Sequence, residues 1–203
     1  MSKAYIYLSK GSEASDKDFE ADNLPKLPQF RRERYLRYSK EQDRKACILS
    51  YLLLARGLDE RYGIKESVSF VYNKNGKPYL KEYPRVFFSI SHCKGGVACA
   101  LSDAEIGIDI QDVRPFDIGL AGRVCTQAEL KLLAEASDPA RLFTRLWTQK
   151  ESRAKAEGTT LTRFFKLDLP TDIFFSREEP EFFLTLCHMG KLSPADIILT
   201  YQV

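Results

Sequence analysis

The clearest pattern of apolar and polar positions lies at Ile106-Gly107-Ile108-Asp109-Ile110-Gln111. Apolar residues occupy every second place, so a strand here sends Ile106, Ile108 and Ile110 to one face and Gly107, Asp109 and Gln111 to the other. Ala4–Ser9, Val86–Ser91 and Val97–Ser102 also read as strands, the last two joined by a turn over His92-Cys93-Lys94-Gly95-Gly96. Cys47–Ala55 is apolar nearly all round, which predicts a buried central helix that opens at a capping box of Ser39 and Gln42 and runs to about Tyr62. Thr126 and Glu129 predict a second capping box and a short helix through Glu135. A further helix is bracketed by Asp138 as N-cap, Pro139 at its first position and Gly158 at its stop. Asn73–Pro78 is a turn by composition, with Asn75-Gly76 suited to positive φ. Residues 10–24 read as a polar loop, and 164–169, 172–176, 182–187 and 197–203 read as β.

Composition narrows the classes. The 203 residues suffice for one domain or two small lobes, with no linker, repeat or low-complexity segment between them. A hydrophobic fraction of 44% and a net charge of +3 are ordinary for a globular protein and single out no partner. No apolar run is long enough to span a bilayer, and the first residues are too short and too polar for a signal peptide, so a cytoplasmic protein without a membrane partner is expected. Five scattered cysteines without C-x-x-C fit free thiols in a reducing compartment, and with two histidines a zinc site is not expected.

Charge is patterned locally. Arg31, Arg32, Arg34, Arg37, Lys40, Arg44 and Lys45 precede the central helix. Such a run is either a solvated face or an anion site whose arginine forks grip phosphate oxygens. Nucleic acid is not expected, because the basic charge is not spread over the rest of the chain as a duplex footprint needs. In the helix after Asp138, Trp147, Glu151 and Lys155 rise on one face with Lys150 and Ala154 beside them. Taken alone, Glu151 and Lys155 are an ordinary i, i+4 surface pair. Asp109 and Gln111, roughly 6–7 Å apart on one side of their strand, are equally at home on a wet sheet face. His92 stands at a strand end, and the glycines after it leave room for backbone N–H groups to meet a ligand. Together, two carboxylates with oxygen-only neighbours and nearby cations suit Mg²⁺ shared with a substrate pyrophosphate. The residues therefore point to a phosphate-transferring or phosphate-binding site, without a P-loop or kinase signature.

Four stretches in order, Asn75-Gly76-Lys77-Pro78, Phe88-Ser89-Ile90-Ser91-His92, Gly107-Ile108-Asp109-Ile110 and Trp147-x-x-Lys150-Glu151-Ser152 ending in Lys155-Ala156-Glu157-Gly158, resemble the motifs of the 4′-phosphopantetheinyl transferases of the surfactin-synthetase type. The resemblance covers most of the chain. It implies an α+β fold in the form of a pseudo-dimer of two similar lobes, residues 1–105 and 106–203, each a mainly antiparallel sheet packed on a long helix, with the active site in the cleft between them. It implies transfer of phosphopantetheine from coenzyme A to a serine of an apo acyl or peptidyl carrier protein, dependent on Mg²⁺ and releasing 3′,5′-ADP. By matching position, Asp109 and Glu151 would hold Mg²⁺, Glu151 would take the serine proton, Lys155 would offset pyrophosphate charge and Lys150 would support the site. His92 with Ser91 would meet the 3′-phosphate, Arg31 and Arg34 would be further phosphate cations, Lys77 would flank the adenine, and Arg44 or Lys45 would supply a cation at the start of the central helix. A pseudo-dimeric chain satisfies its own lobe interface, so a monomer is expected.

One position departs from the bacterial pattern. Where a second acid is common two residues after the aspartate, this chain has Gln111, whose amide oxygen can ligate Mg²⁺ or hold a metal-bound water without adding charge. Two other readings accompany the transferase: a catalytically weakened coenzyme A-binding module, supported by Gln111 alone, and a nucleic-acid-binding domain using residues 31–45.

Overall fold

The computed structural model describes residues 2–10, 18–190 and 192–201. The protein is α+β. Three short helices or turns follow the first strand, β1 (Ala4–Lys10): α1 (Phe19–Asn23), a 3₁₀ turn at Leu24–Lys26 and α2 (Gln29–Leu36). The long helix α3 (Glu41–Tyr62) leads to the small hairpin β2 (Phe70–Tyr72) and β3 (Pro78–Leu80). The strands β4 (Phe87–Cys93), β5 (Gly96–Ser102) and β6 (Ile106–Asp112) come next, then α4 (Ile118–Val124), α5 (Gln127–Glu135) and the second long helix, α6 (Pro139–Glu157). A 3₁₀ turn at Leu161–Phe164 precedes β7 (Phe174–Glu178) and β8 (Phe182–His188), and β9 (Ile197–Tyr201) follows.

Two larger sheets form, ordered β4-β5-β1-β9 and β6-β8-β7. All their pairings are antiparallel except β1 with β9, where Ile6 lies beside Leu199. The sheets face each other, each backed by one long helix. Alternation dictates this layering. Ala4, Ile6 and Leu8 of β1 and Ala98 and Ala100 of β5 pack on Ile106, Ile108, Ile110, Leu184 and Leu186 of the second sheet. The opposite faces of the same strands, Tyr7, Val97, Cys99 and Leu101, pack on Leu49, Leu53, Leu54 and Leu58 of α3. Strands buried on both faces carry few polar residues, and alanines at the inter-sheet positions let the sheets come close. The other side of α3 is covered through Ile48 and Tyr51, which pack with Phe19 of α1, Leu27 of the connecting segment and Phe30 of α2, so its all-round apolar character has a partner on each side.

The helix α6 lies unusually near its sheet. A Cβ added at Gly107 would stand 2.0 Å from Ser152 O and 2.4 Å from Ala156 N, both backbone atoms. Small residues one turn apart on α6, Thr148, Ser152 and Ala156, make this approach possible, and the Thr148 hydroxyl meets that of Thr185 on β8 at 2.8 Å.

Several expected elements are present with their caps. Thr126 and Glu129 form the reciprocal capping box of α5, Asp138 accepts from Arg141 N at 3.0 Å, and Gly158 takes the left-handed C-cap at φ 61°. Gly76 adopts φ 86° in the hairpin turn. Three expectations change. The Ser39–Gln42 box does not form: Lys40 is the N-cap of α3 and makes no side-chain cap bond. Residues 164–169 are not a strand, because Phe164 ends the 3₁₀ turn with its ring buried and the following residues meet no sheet edge. The loop expected over 10–24 contains α1, and its residues 11–17, like 202–203 of the final strand, lie outside the described residues.

Because the atoms facing Gly107 belong to backbone, Gly107→Ala is expected to push α6 away from β6 and to cost on the order of 3 kcal/mol, read as a shift of the urea-unfolding midpoint.

Candidate active site

A cleft of about 470 Å³ opens where β4, β6, α6 and the β2–β3 hairpin meet, walled on the far side by α2 and α3. The sheets join at its floor through serine hydroxyls. Ser89 Oγ of β4 accepts from Ile108 N at 3.0 Å and Ser91 Oγ accepts from Ile110 N at 3.3 Å. These bonds satisfy two N–H groups on the edge of β6 that have no strand beside them.

Ser91 is more than a seam. It donates to Asp109 Oδ1 at 2.9 Å and accepts from Lys155 Nζ at 2.9 Å, and Lys155 in turn binds Asp109 Oδ1 at 2.6 Å. Lys155 therefore reaches across to the strand acid instead of forming the i, i+4 pair with Glu151 that its own helix offers. One oxygen of Asp109 is thus doubly engaged. The other, Oδ2, is buried and has no hydrogen-bond partner among the described residues, a costly state for a carboxylate unless something positive completes it. Glu151 lines the same space, and its carboxyl is held above the usual range by burial, with Asp109 adding to the rise and Lys155 opposing it. Gln111 and Trp147 complete this end, the indole tilted against Phe143 at 6.2 Å between ring centroids.

No three His, Cys, Asp or Glu side chains converge among the described residues. A metal ion at Asp109 and Glu151 would accordingly draw its other ligands from substrate oxygens, water and the Gln111 amide, a donor set of oxygens alone that suits Mg²⁺. The orphaned Asp109 Oδ2 fits that requirement.

The opposite end of the cleft is cationic. Arg31 is 5% exposed and donates to Cys47 O at 2.7 Å and Ser50 Oγ at 2.8 Å, with no carboxylate in ion-pair reach among the described residues and its Nε unpartnered. A guanidinium buried in this way lacks a counterion, and burial pulls its pKa down. Arg34 lies beside it with its Nε on Tyr38 Oη at 3.1 Å. His92 is exposed at the rim, yet the wall around its ring still holds its pKa below 6.5, with Lys155 and Arg34 adding to the depression and Asp43 and Asp109 opposing it. Phe70, Tyr72 and Phe88 supply apolar lining between the two ends.

The structure thus brings Asp109, Gln111, Glu151, Lys155, Ser91, His92, Arg31 and Arg34 into one cleft, and it sends three others elsewhere. Lys150 is fully buried on the far side of α6, where Nζ binds Glu129 at 3.1 Å and Leu167 O at 2.9 Å. Consecutive helix residues are about 100° apart, so a lysine next to Glu151 need not share its face. Arg44 pairs with Glu20 at 3.6 Å and Lys45 with Glu41 at 2.8 Å, and neither lines the cleft. Lys77 keeps its stem in the cleft wall, but its amine turns to Glu105 and to Ala156 O at 2.6 Å. Of the backbone N–H groups expected around Gly95 and Gly96 to meet a ligand, that of Gly95 is taken by the Asp112 carboxylate at 2.9 Å, as is that of the neighbouring Lys94 at 3.0 Å. The sequence reading missed Ser89 as a seam residue and Asn73 and Asn75 as donors to α6. The spacing of Ser89 from Ser91, two residues apart on one strand face, was the available signal.

Comparison with known proteins agrees with this geometry. Residues 105–195 match the 4′-phosphopantetheinyl transferase superfamily, and residues 13–104 match the N-terminal part of 4′-phosphopantetheinyl transferases. The chain is 31% identical over 176 residues to the 4′-phosphopantetheinyl transferase Sfp of Bacillus subtilis, covering 85% of this chain and 75% of that one. It is 30% identical over 169 residues to the 4′-phosphopantetheinyl transferase ffp of the same species, covering 80% and 73%. A relative in Saccharomyces cerevisiae, the L-aminoadipate-semialdehyde dehydrogenase-phosphopantetheinyl transferase, is 30% identical over 79% of this chain and 64% of its own length. The chain belongs to the 4′-phosphopantetheinyl transferase family, of the Sfp type, and is a transferase. No helix of the described residues is long and apolar enough to cross a membrane.

The burial of Lys150 makes a stability prediction. Lys150→Met strands Glu129 beneath α5 and is expected to lower stability by about 3 kcal/mol, measured by thermal or urea unfolding.

Proposed function

We propose that the protein transfers the 4′-phosphopantetheine group of coenzyme A to a serine of an apo carrier protein, with 3′,5′-ADP as the leaving product. The buried, unpartnered Asp109 Oδ2, in a cleft that Glu151 also lines and that holds an uncompensated arginine, carries this reading. A negative substrate and a cation are what this set of charges lacks.

In this reading the 3′-phosphate lies at Arg31, Arg34 and His92, and the pyrophosphate lies near Lys155. Asp109 and Glu151, with the amide oxygen of Gln111, would hold Mg²⁺, which when bound would neutralise charge on the pyrophosphate. Glu151 takes the proton of the acceptor serine, a task that its raised pKa favours. The serine oxygen forms a bond to the phosphorus of the pantetheine arm as the bond to the leaving phosphate oxygen breaks. Lys155, fixed by Ser91 and Asp109, offsets the charge gathering on that leaving oxygen. The two sheets, each with three antiparallel strands backed by one long helix, support a pseudo-dimeric arrangement of lobes with the cleft at their junction. We take the protein to act as a monomer in the cytoplasm.

Intact-protein mass spectrometry of an apo carrier protein incubated with this protein, coenzyme A and Mg²⁺ tests the reading. A phosphopantetheine mass gain, lost with EDTA and with Glu151→Ala, is expected. Coenzyme A binding without any gain on carriers from several pathways favours a weakened binding module instead.

His92 adds a pH signature. Its imidazole is held low in the free protein, and a bound phosphate would raise it, so binding takes up a proton. The histidine's help is then greatest below its depressed free pKa and fades as pH rises through the bound value. The KM for coenzyme A in His92→Ala, divided by that of the wild type, is expected to fall between about pH 6 and about pH 8, and using this ratio cancels the titration of the phosphate itself.

A further inference from the structure

The turn between β2 and β3 grips the end of α6. Asn73 Nδ2 and Asn75 Nδ2 each donate to Gly158 O at 2.8 Å, and Lys77 Nζ donates to Ala156 O at 2.6 Å. These are carbonyls at a helix C-terminus, where no further turn supplies N–H partners. The turn is itself rigid: Asn73 Oδ1 accepts from Asn75 N and Lys77 N, both at 2.9 Å, and Gly76 holds positive φ. Lys77 is also anchored by Glu105 and stands 3.5 Å from Ile106 O, at the entrance to β6. Gly158 completes the fit, since a Cβ there would come within 2.5 Å of Asn73 Nδ2. About one turn of helix before Gly158 stands Lys155, directly preceding Ala156, and about two turns before Gly158 stands Glu151.

We propose that Asn73, Asn75 and Lys77 form a latch that positions α6, so that Lys77 is a positioning residue acting through Lys155 and Glu151 and its amine makes no contact with the substrate. The inference rests on the functional reading above. Its physical content is the direction of the amine. Buried at 8% exposure, Nζ is spent on Glu105 and the backbone, and only the stem faces the cleft. The latch reaches from the hairpin to the helix that carries the reacting groups, and it closes the cleft wall at the same stroke. A charged amine at a helix C-terminus also interacts favourably with the partial negative charge there.

The test uses Lys77→Met, which keeps the stem, and Asn75→Ala, which alters an exposed turn residue and leaves the core intact. Transfer kinetics and hydrogen–deuterium exchange of the amides over 151–158 are read together. Both variants are expected to lower kcat, on the order of tenfold, with the KM for coenzyme A within about twofold of wild type and with faster exchange over 151–158. The proposal is overturned by a raised KM at unchanged kcat, which marks a direct substrate contact, by unchanged kinetics, or by unaltered exchange. Failure of the functional reading is separate and visible in the wild type, as an absence of transfer, while the exchange measurement still reports on the latch.

Discussion

Everything at the site depends on how closely α6 can lie on β6. Helix and strand normally stand apart by the length of two side chains, and here one of those side chains is missing. At Gly107 the backbone of Ser152 and Ala156 occupies the volume a methyl group would need. That approach lets Lys155, on the helix, touch Asp109, two residues along the strand, at 2.6 Å. With a larger residue at 107 the two charged groups would belong to separate surfaces. The glycine is thus a part of the chemistry although it carries no functional group.

The same logic of close approach operates between the sheets. Alanines at 4, 98 and 100 face isoleucines at 106, 108 and 110, and the serines of β4 replace a missing strand along the edge of β6. Hydroxyls in place of a full ladder leave the junction narrow in hydrogen bonds and open on one side, and the cleft forms in that opening. Its charges are unbalanced from end to end. Arg31 is buried without an acid in reach and Asp109 keeps an oxygen without a hydrogen-bond partner among the described residues, while burial lowers the pKa of His92, so the two ends of the cleft hold opposite charges that their own surroundings do not balance.

Much of this was legible in the sequence wherever a residue's role follows from its period or its cap. The alternation at 106–111 gave the faces of β6, and Thr126, Asp138 and Gly158 marked their helix ends. The reading went astray where the decisive partner lay far along the chain. Ser39 has the right chemistry for a cap, yet α3 begins one residue too late for it to be used. Side-chain direction was illegible for the same reason, without bearing on the expected roles: Lys150 differs from Glu151 by a single position, but its amine meets Glu129 of α5. Lys77 lines the cleft with its stem, and only the fold reveals that α6 ends within reach of its amine. Local pattern predicts an element and its faces, whereas the direction of a long side chain is settled by whatever packs there.

The parallel pairing of β1 with β9 has a consequence for how the chain is made. Ala4 finds one neighbour in Ser102 and the other in Ile197, so β1, made before either partner, waits for residues 197–201 before both of its edges are covered. Until then, a growing chain can assemble β4, β5 and β1 on α3 but displays β1 as an open edge, the kind of surface that invites pairing between molecules. Translation of residues 103–196 is therefore an interval of exposure, and β6, α6, β7 and β8 are all synthesised within it.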